Sequence, residues 1–372
     1  MPIKCQSIIN ELEKLAPRDL AEDWDNVGLL VGSPDQDISK ILIALDVTDN
    51  VVDQAITNNS DMIVTHHPLI FKGIKNIRTD LPHGKLLAKL IKNDIAVYTA
   101  HTNLDIAAGG INDILASKLN LTNVQSLSPG HSEKLLKLAV FVPDTHAEAV
   151  RAAICDAGAG HVGNYSHCTF QTDGTGTFMP LEGTNPFLGS QGELEQVREV
   201  RLETVMSEKI CNKVIKAMLK AHPYEEVAYD LYQLANTRPQ LGLGRIGSLS
   251  APKSLAEFVD EVKQALGINL VNVAGPENKS IWKVAVCGGS GASLIHSAAF
   301  AGADVLVTGD VKYHEAQEAV AAGIVIVDAG HFATEVVIVD YLSNYLGAQA
   351  RNEKWGIEII TDNIRTDIFR RY

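Results

Sequence analysis

Apolar positions along the chain change period several times, and the changes divide it into three stretches. At the N-terminus Ile8, Ile9, Leu12, Leu15 and Ala16 recur at helical spacing, which predicts an amphipathic helix ending near Pro17. The polar run that follows, residues 21–28 with Trp24, Asp25 and Asn26, is either a loop that lines a site or a capped turn with one aromatic anchor, and the residue types slightly favour the turn. Continuous apolar runs then occupy residues 41–45, 62–64 and 95–100, separated by helical patterns at about 50–57 and 85–91. Unbroken apolar strands alternating with helices predict a parallel sheet covered on both faces. Each run ends in polar residues: Asp46 after the first, Thr65-His66-His67-Pro68 after the second, and His101-Thr102-Asn103-Leu104-Asp105 after the third. Ligands of such sheets collect outside the carboxyl ends of the strands.

Near residue 130 the pattern changes. Strands are predicted at 137–142 and 198–204, with two short ones within 161–179 around the run Thr172-Asp173-Gly174-Thr175-Gly176. Helices are predicted at 147–157 and 210–221, and a last strand at 227–234. The order β-α-β-β-α-β is that of a ferredoxin-like unit. Residues 236–247, rich in Gly, Pro and polar side chains, would return the chain to the first domain.

From Ile281 the opening pattern resumes. Strands at 282–286, 304–307 and 324–327 run into Cys287-Gly288-Gly289-Ser290-Gly291, Thr308-Gly309-Asp310 and Asp328-Ala329-Gly330-His331, with a helix at about 293–301 and another at 332–346. The first and third stretches can therefore be laid over each other, and both end in His-x-x-x-acid, His101 with Asp105 and His331 with Glu335. The echo predicts an α/β protein in which two related αβ halves face one site. Residues 1–128 and 240–372 would form this core, with 129–239 inserted as an α+β ferredoxin-like domain.

Composition narrows the possibilities. A chain of 372 residues exceeds one ordinary core and predicts two or three domains. Its 46% apolar content describes a well-buried globular protein. A net charge of −13 argues against a sequence-independent grip on nucleic acid, which needs a basic surface. No apolar run approaches the ~20 residues of a membrane span and no signal peptide is apparent, so a cytoplasmic location is expected. The five scattered cysteines, without a C-x-x-C pair, read as reduced thiols.

The strand-end residues carry the chemistry. His331 and Glu335, four apart at the start of a helix, lie on one face within reach of a common metal. Histidine nitrogen and carboxylate oxygen without thiolate suit Zn first, with Fe, Mn or Co as alternatives, and a carboxylate can bridge two ions. Two such ions ~4 Å apart clamp a substrate oxygen and acidify a shared water, which is hydrolytic chemistry. The glycine run 287–291 ahead of a helix offers backbone amides to a phosphate, or is a tight strand-to-helix turn; it lacks the P-loop lysine and the full G-x-G-x-x-G. Lys312 and His314, in Asp310-Val311-Lys312-Tyr313-His314-Glu315, are a candidate acid-base pair near the same rim.

Taken in order, Trp24-Asp25-Asn26-Val27-Gly28, Thr65-His66-His67-Pro68, His101-Thr102-Asn103-Leu104-Asp105, Thr308-Gly309-Asp310-Val311-Lys312-Tyr313-His314 and Gly330-His331-Phe332-Ala333-Thr334-Glu335 resemble the GTP cyclohydrolase 1 type 2 homologues, also called NGG-one-interacting-factor-three-like proteins. The resemblance covers both outer stretches. It implies a dinuclear metal site with His66, His67, Asp105, His331 and Glu335 as ligands, Glu335 bridging, and His101 behind the ligands or facing substrate. It also implies a ring-like homohexamer and an insertion similar to PII and CutA proteins. The expected function is a metal-dependent hydrolase of a nucleotide-like substrate, with His101 or His314 moving protons; for GTP the attacked atom would be C8 of guanine. The alternative is a metal-binding regulatory or scaffold protein whose inserted domain senses a small molecule.

Overall fold

Side chains of successive strand residues point to opposite faces, so a strand buried on both sides feeds two cores at once. In the computed structural model, which describes residues 2–131, 134–237, 241–363 and 367–369, the strands Lys40–Ala44, Met62–Thr65 and Ala96–Thr99 do this. Ile41, Ile43, Met62, Val64, Ala96 and Tyr98 pack into one cluster with the N-terminal helix Cys5–Leu15 and the long helix Val337–Asn352. Leu42, Ala44, Ile63 and Val97 pack into another, against the helices Asp49–Thr57 and Pro82–Lys92. The three strands are parallel neighbours. Glu358–Thr361 adds in parallel beside the first, and Gly28–Val31 antiparallel beside the third.

A second sheet repeats this plan. Ser280–Ser290, Val305–Gly309 and Val325–Asp328 are parallel neighbours in that order, and Asn272–Ala274 lies antiparallel beside the third. Again alternate residues divide between two cores: Val284, Val286, Val305, Val307, Val325 and Val327 in one, Ala285, Cys287, Leu306 and Ile326 in the other. The echo thus extends one strand further than the sequence suggests, because both antiparallel edge strands precede the first parallel strand in the chain. Two long antiparallel strands, Leu241–Ser254 and Thr122–His131, complete the second sheet.

Two expectations change in detail. The predicted helix 332–346 is two helices, His331–Glu335 and Val337–Asn352. The glycine run after Val286 is no loop: strand pairing continues to Ser290, which lies opposite Gly309. Only a 3-10 turn and the six-residue helix Ile295–Phe300 follow it, so it presents no long helix N-terminus to a phosphate.

By contact the chain divides into two compact units, Met1–His131 with Leu241–Tyr372, and Ser132–Gln240. Part of the predicted return segment, residues 238–240, lies outside the described residues. In the second unit the strands Lys134–Pro143, Thr169–Phe178, Glu195–Ser207 and Tyr229–Thr237 form one antiparallel sheet, with helices Ala147–Asp156 and Cys211–Ala221 completing a β-α-β-β-α-β order. Leu138, Val140, Val142 and Leu202 bury against those helices. The run 172–176 is no turn between short strands; it lies inside Thr169–Phe178, paired throughout with Glu195–Ser207. There the continuous register with the neighbouring strand prevails over the turn propensity of Gly174 and Gly176.

Candidate metal centre

The carboxyl ends of the parallel strands position the site. His66 and His67 follow Met62–Thr65 directly. His101 caps the five-residue helix Thr102–Ile106, which carries Asp105, after Ala96–Thr99. From the second sheet, Val325–Asp328 leads to the matching five-residue helix with His331 at its start and Glu335 at its end.

These side chains meet. Glu335, 3% exposed, points Oε2 to within 2.8 Å of His67 Nε2 and 2.9 Å of His331 Nε2, and Oε1 to 3.6 Å from His66 Nε2. Asp105 Oδ1 lies 3.5 Å from His66 Nε2. The Nε2 atoms of His67 and His331 are 3.3 Å apart. Two overlapping groups have ligand atoms all within 4.8 Å of one another and could hold a metal ion: His66, His67 and His101, and His67, His331 and Glu335.

Each imidazole is fixed from behind through Nδ1. His67 Nδ1 bonds Asp46 at 2.8 Å, His331 Nδ1 bonds Asp310 at 2.7 Å, His101 Nδ1 bonds Asp25 at 2.9 Å, and His66 Nδ1 bonds the Ala100 carbonyl at 2.8 Å. A partner on Nδ1 sets the ring's orientation and leaves Nε2 as the free donor atom. Asp310 adopts φ 56° to make its bond, a left-handed conformation that Asp tolerates better than most residues. Asp25 also accepts from the Thr102 backbone N–H. The segment 21–28 therefore lines the site, where residue types alone favour an ordinary turn. Trp24 and Phe71, both exposed, flank the His101 ring at centroid distances of 6.2 and 6.5 Å.

Gly289 explains the glycine run. Its φ is +61°, and a Cβ there would lie 2.2 Å from Glu335 Oε1 and 3.2 Å from His331 Nε2. A side chain at this position would occupy the space of the buried carboxylate. Gly289 N–H in turn donates to Thr334 Oγ1 beside it.

The charges are strongly coupled. Burial opposes ionisation of Glu335, but the three surrounding imidazoles outweigh it and hold the carboxyl well below its ordinary range. Burial likewise works against the charge on His67, yet Asp46 and Glu335 push it up to about 10. His331 is raised to about 9, chiefly by Glu335. Asp105 is raised to about 7 by burial, against the pull of His66. Burial also drives the Cys287 thiol far up, with Asp105 and Glu335 adding to the shift, so it stays protonated and contributes no thiolate.

His314 stands apart from this cluster. It is exposed on the helix Tyr313–Ala321 and bonds Gln317 of the same helix, while exposed Lys312 faces Glu315 at 3.6 Å. Beside His67 and His331 opens a cleft of about 720 Å³ that Asp46, Asp310, Asp328, Asp362 and Asp367 line together with apolar side chains; among the described residues, no Lys or Arg lines it.

Two α/β sheets that bring a histidine and carboxylate cluster to their strand ends define the class: an α/β protein with groups able to hold a metal ion. The chain belongs to the Duf34/NIF3 (NGG1p interacting factor 3) family, whose model matches residues 3–368. A Halalkalibacterium halodurans relative named GTP cyclohydrolase 1 type 2 homolog is 46% identical over 364 residues, 98% of both chains. One of the same name from Bacillus subtilis is 45% identical, covering 98% of this chain and 97% of its own. Among solved structures, a Bacillus cereus protein related to NIF3 is 47% identical with a TM-score of 0.91, covering 100% of this chain and 99% of its own. A Staphylococcus aureus protein is 30% identical with a TM-score of 0.83, over 100% of this chain and 99% of its own. Among the described residues, no helix is long and apolar enough to cross a membrane.

Proposed function

We propose that His66, His67, Asp105, His331 and Glu335 hold two divalent ions, Glu335 bridging them, and that the centre hydrolyses a nucleotide-like substrate. One observation carries the reading: His66 Nε2, Asp105 Oδ1 and Glu335 Oε2 are buried without a hydrogen-bond partner, and all three belong to this cluster. His67 and His331 approach Glu335 Oε2 closely, yet without hydrogen-bonding geometry. Orphaned buried polar atoms are costly, and three at one place are what a cation would relieve. The nitrogen and oxygen donors suit Zn first, with Fe or Mn as alternatives. When bound, a pair of such ions supplies Lewis acidity and water of lowered pKa.

The chain's own residues do the rest. Asp46 and Asp310 hold two of the imidazoles in register. His101, anchored by Asp25 and bordered by Trp24 and Phe71, is placed to accept or return a proton at Nε2 beside the ligands. The relatives' name makes opening of the guanine ring of GTP one candidate reaction. A ring-like homohexamer is the assembly that the family resemblance supports.

The test is elemental analysis of purified protein, followed by a turnover screen of the metal-loaded protein against nucleotides and phosphoesters. Two ions per chain and turnover that chelation abolishes are expected. Protein that takes up no metal, or loaded protein that turns over no compound of the panel, would refute the corresponding half of the proposal. A second reading, a metal-binding regulatory protein, draws on the second unit, whose β-α-β-β-α-β order fits the expected PII/CutA-like insertion and which has a cavity of its own.

A further inference from the structure

That cavity, of about 450 Å³, opens in the second unit on the face of the sheet turned away from the two helices. Strand alternation sets this up: Val200 and Leu202 are buried, Leu202 in the helix-side core, while Glu199 projects to the other face. Phe141, Phe178, Phe187 and Tyr224 line the cavity around Glu199, and Glu225 and Glu226 also face it. Among the described residues, no Lys, Arg or His contributes to its wall.

Glu199 is only 8% exposed. Tyr224 donates its hydroxyl to Oε1 at 2.8 Å; among the described residues Oε2 has no hydrogen-bond partner. Gly176 makes room for this carboxylate, since a Cβ there would lie 2.2 Å from Oε2. The rings are set edge to face, Phe178 to Tyr224 at 5.7 Å and His222 to Tyr224 at 5.1 Å. His222 bonds the Phe141 carbonyl through Nε2 and accepts the Tyr224 N–H at Nδ1, the pattern of a neutral ring, so it adds no cation. The Phe141 ring already has one guanidinium 5.9 Å from its centroid, that of Arg201, which is itself paired with Glu203 at 2.9 Å. Aromatic faces around a buried carboxylate attract cations, and a carboxylate with a free oxygen selects those that donate N–H bonds.

We propose that this cavity binds a flat organic cation, an amidinium or guanidinium carried on an apolar or aromatic body. The cation stacks among the rings and donates to Glu199 Oε2. The volume is that of a small-molecule pocket, and the inference is independent of the metal centre.

Benzamidine is the probe, titrated calorimetrically into the full chain, with benzoate as the anion of similar shape and tetramethylammonium as a cation that donates no hydrogen bond. Saturable benzamidine binding is expected, reduced about tenfold or more by Glu199→Gln, also weakened by Phe187→Ala, and not matched by benzoate or tetramethylammonium. Phe187 is half exposed at the mouth, so its truncation keeps the test alive if Glu199→Gln fails to fold. Absent binding, equal binding by benzoate or tetramethylammonium, or benzamidine binding that both folded variants retain would overturn the proposal; the last result would place the probe elsewhere, as in the acidic cleft beside His67.

Discussion

Glu335→Gln is the sharpest perturbation of the proposed centre. The amide keeps the shape of a side chain that is 3% exposed but removes the negative charge that three imidazoles share. In the protein, Oε2 stands 2.8 and 2.9 Å from His67 and His331, and the two oxygens together face every Nε2 assigned to a ligand. Loss of a group that merely orients a metal ligand costs about 10–100-fold in affinity. Loss of the bridging ligand should therefore exceed 100-fold, or about 2.7 kcal/mol at 1.36 kcal/mol per decade. Zinc-buffered equilibrium dialysis with elemental analysis reads this directly, and the expected result is a fall from two ions to at most one. A second readout needs no metal. Because Glu335 helps raise His67 to about 10 and His331 to about 9, NMR titration of the metal-free variant should find both imidazoles moved down towards the ordinary value of about 6.5. Folded Glu335→Gln protein that binds two ions with wild-type affinity would refute the bridging assignment. Unchanged imidazole titrations would refute the electrostatic argument beneath it.

Asp310→Asn, which leaves the ligands in place but disturbs the Nδ1 partner of His331, should lower metal affinity by about 10–100-fold, measured by the same dialysis. Gly289→Ala should lose metal while keeping the circular dichroism spectrum of the fold, because its Cβ would lie 2.2 Å from Glu335 Oε1; retained stoichiometry would show that the carboxylate can move. Metal binding should release protons and tighten as pH rises from 7 towards 10, because His67 and His331 must lose protons held with pKa values of about 10 and 9; pH-independent affinity would contradict this. The folding linkage has its own sign. Imidazoles raised in the folded state stabilise metal-free protein fully below their unfolded pKa of about 6.5, and that contribution disappears as pH climbs through the folded values. The thermal midpoint of metal-free protein should therefore fall between pH 7 and 10, and a flat profile would contradict it.

Much of the core was legible because unbroken apolar runs have few alternatives. Residues 41–45, 62–64 and 95–100 became parallel strands because each needs cover on both faces, and the polar residues after them had to emerge at one sheet edge. The pairing of His331 with Glu335 was legible for a similar reason: four residues span one helical turn. Less was visible where polarity depends on a distant partner. Asp25 looks like a turn residue until His101, 76 positions away, is brought to 2.9 Å from it. Gly289 reads as part of a phosphate cradle or a tight turn because nothing local signals that a carboxylate must lie against its α-carbon. The run 172–176 misleads in the opposite sense, since register with Glu195–Ser207 outweighs the turn propensity of two glycines.

The duplicated plan also explains why the site is asymmetric in its donors. Each half ends its third parallel strand in a five-residue helix with an acid at the same spacing, Asp105 in the first and Glu335 in the second. The longer glutamate reaches across to His66 and His67 of the first half. The shorter aspartate stays near His66, in its own half. The second strands differ as well: the first half follows its strand with His66 and His67, whereas the second ends its strand in Gly309 and follows it with Asp310. A Cβ at Gly309 would lie 2.5 Å from the His331 backbone nitrogen, so no histidine fits there without moving the helix that carries His331. The second half thus supplies one imidazole, its Asp310 support and the carboxylate that reaches across, while the first supplies the remaining imidazoles. Replacing Glu335 with Asp tests this division: shortening the side chain should separate the carboxylate from His66 and His67, so that metal affinity falls although the charge is retained. Affinity equal to wild type in Glu335→Asp would show that side-chain length is not what joins the two halves.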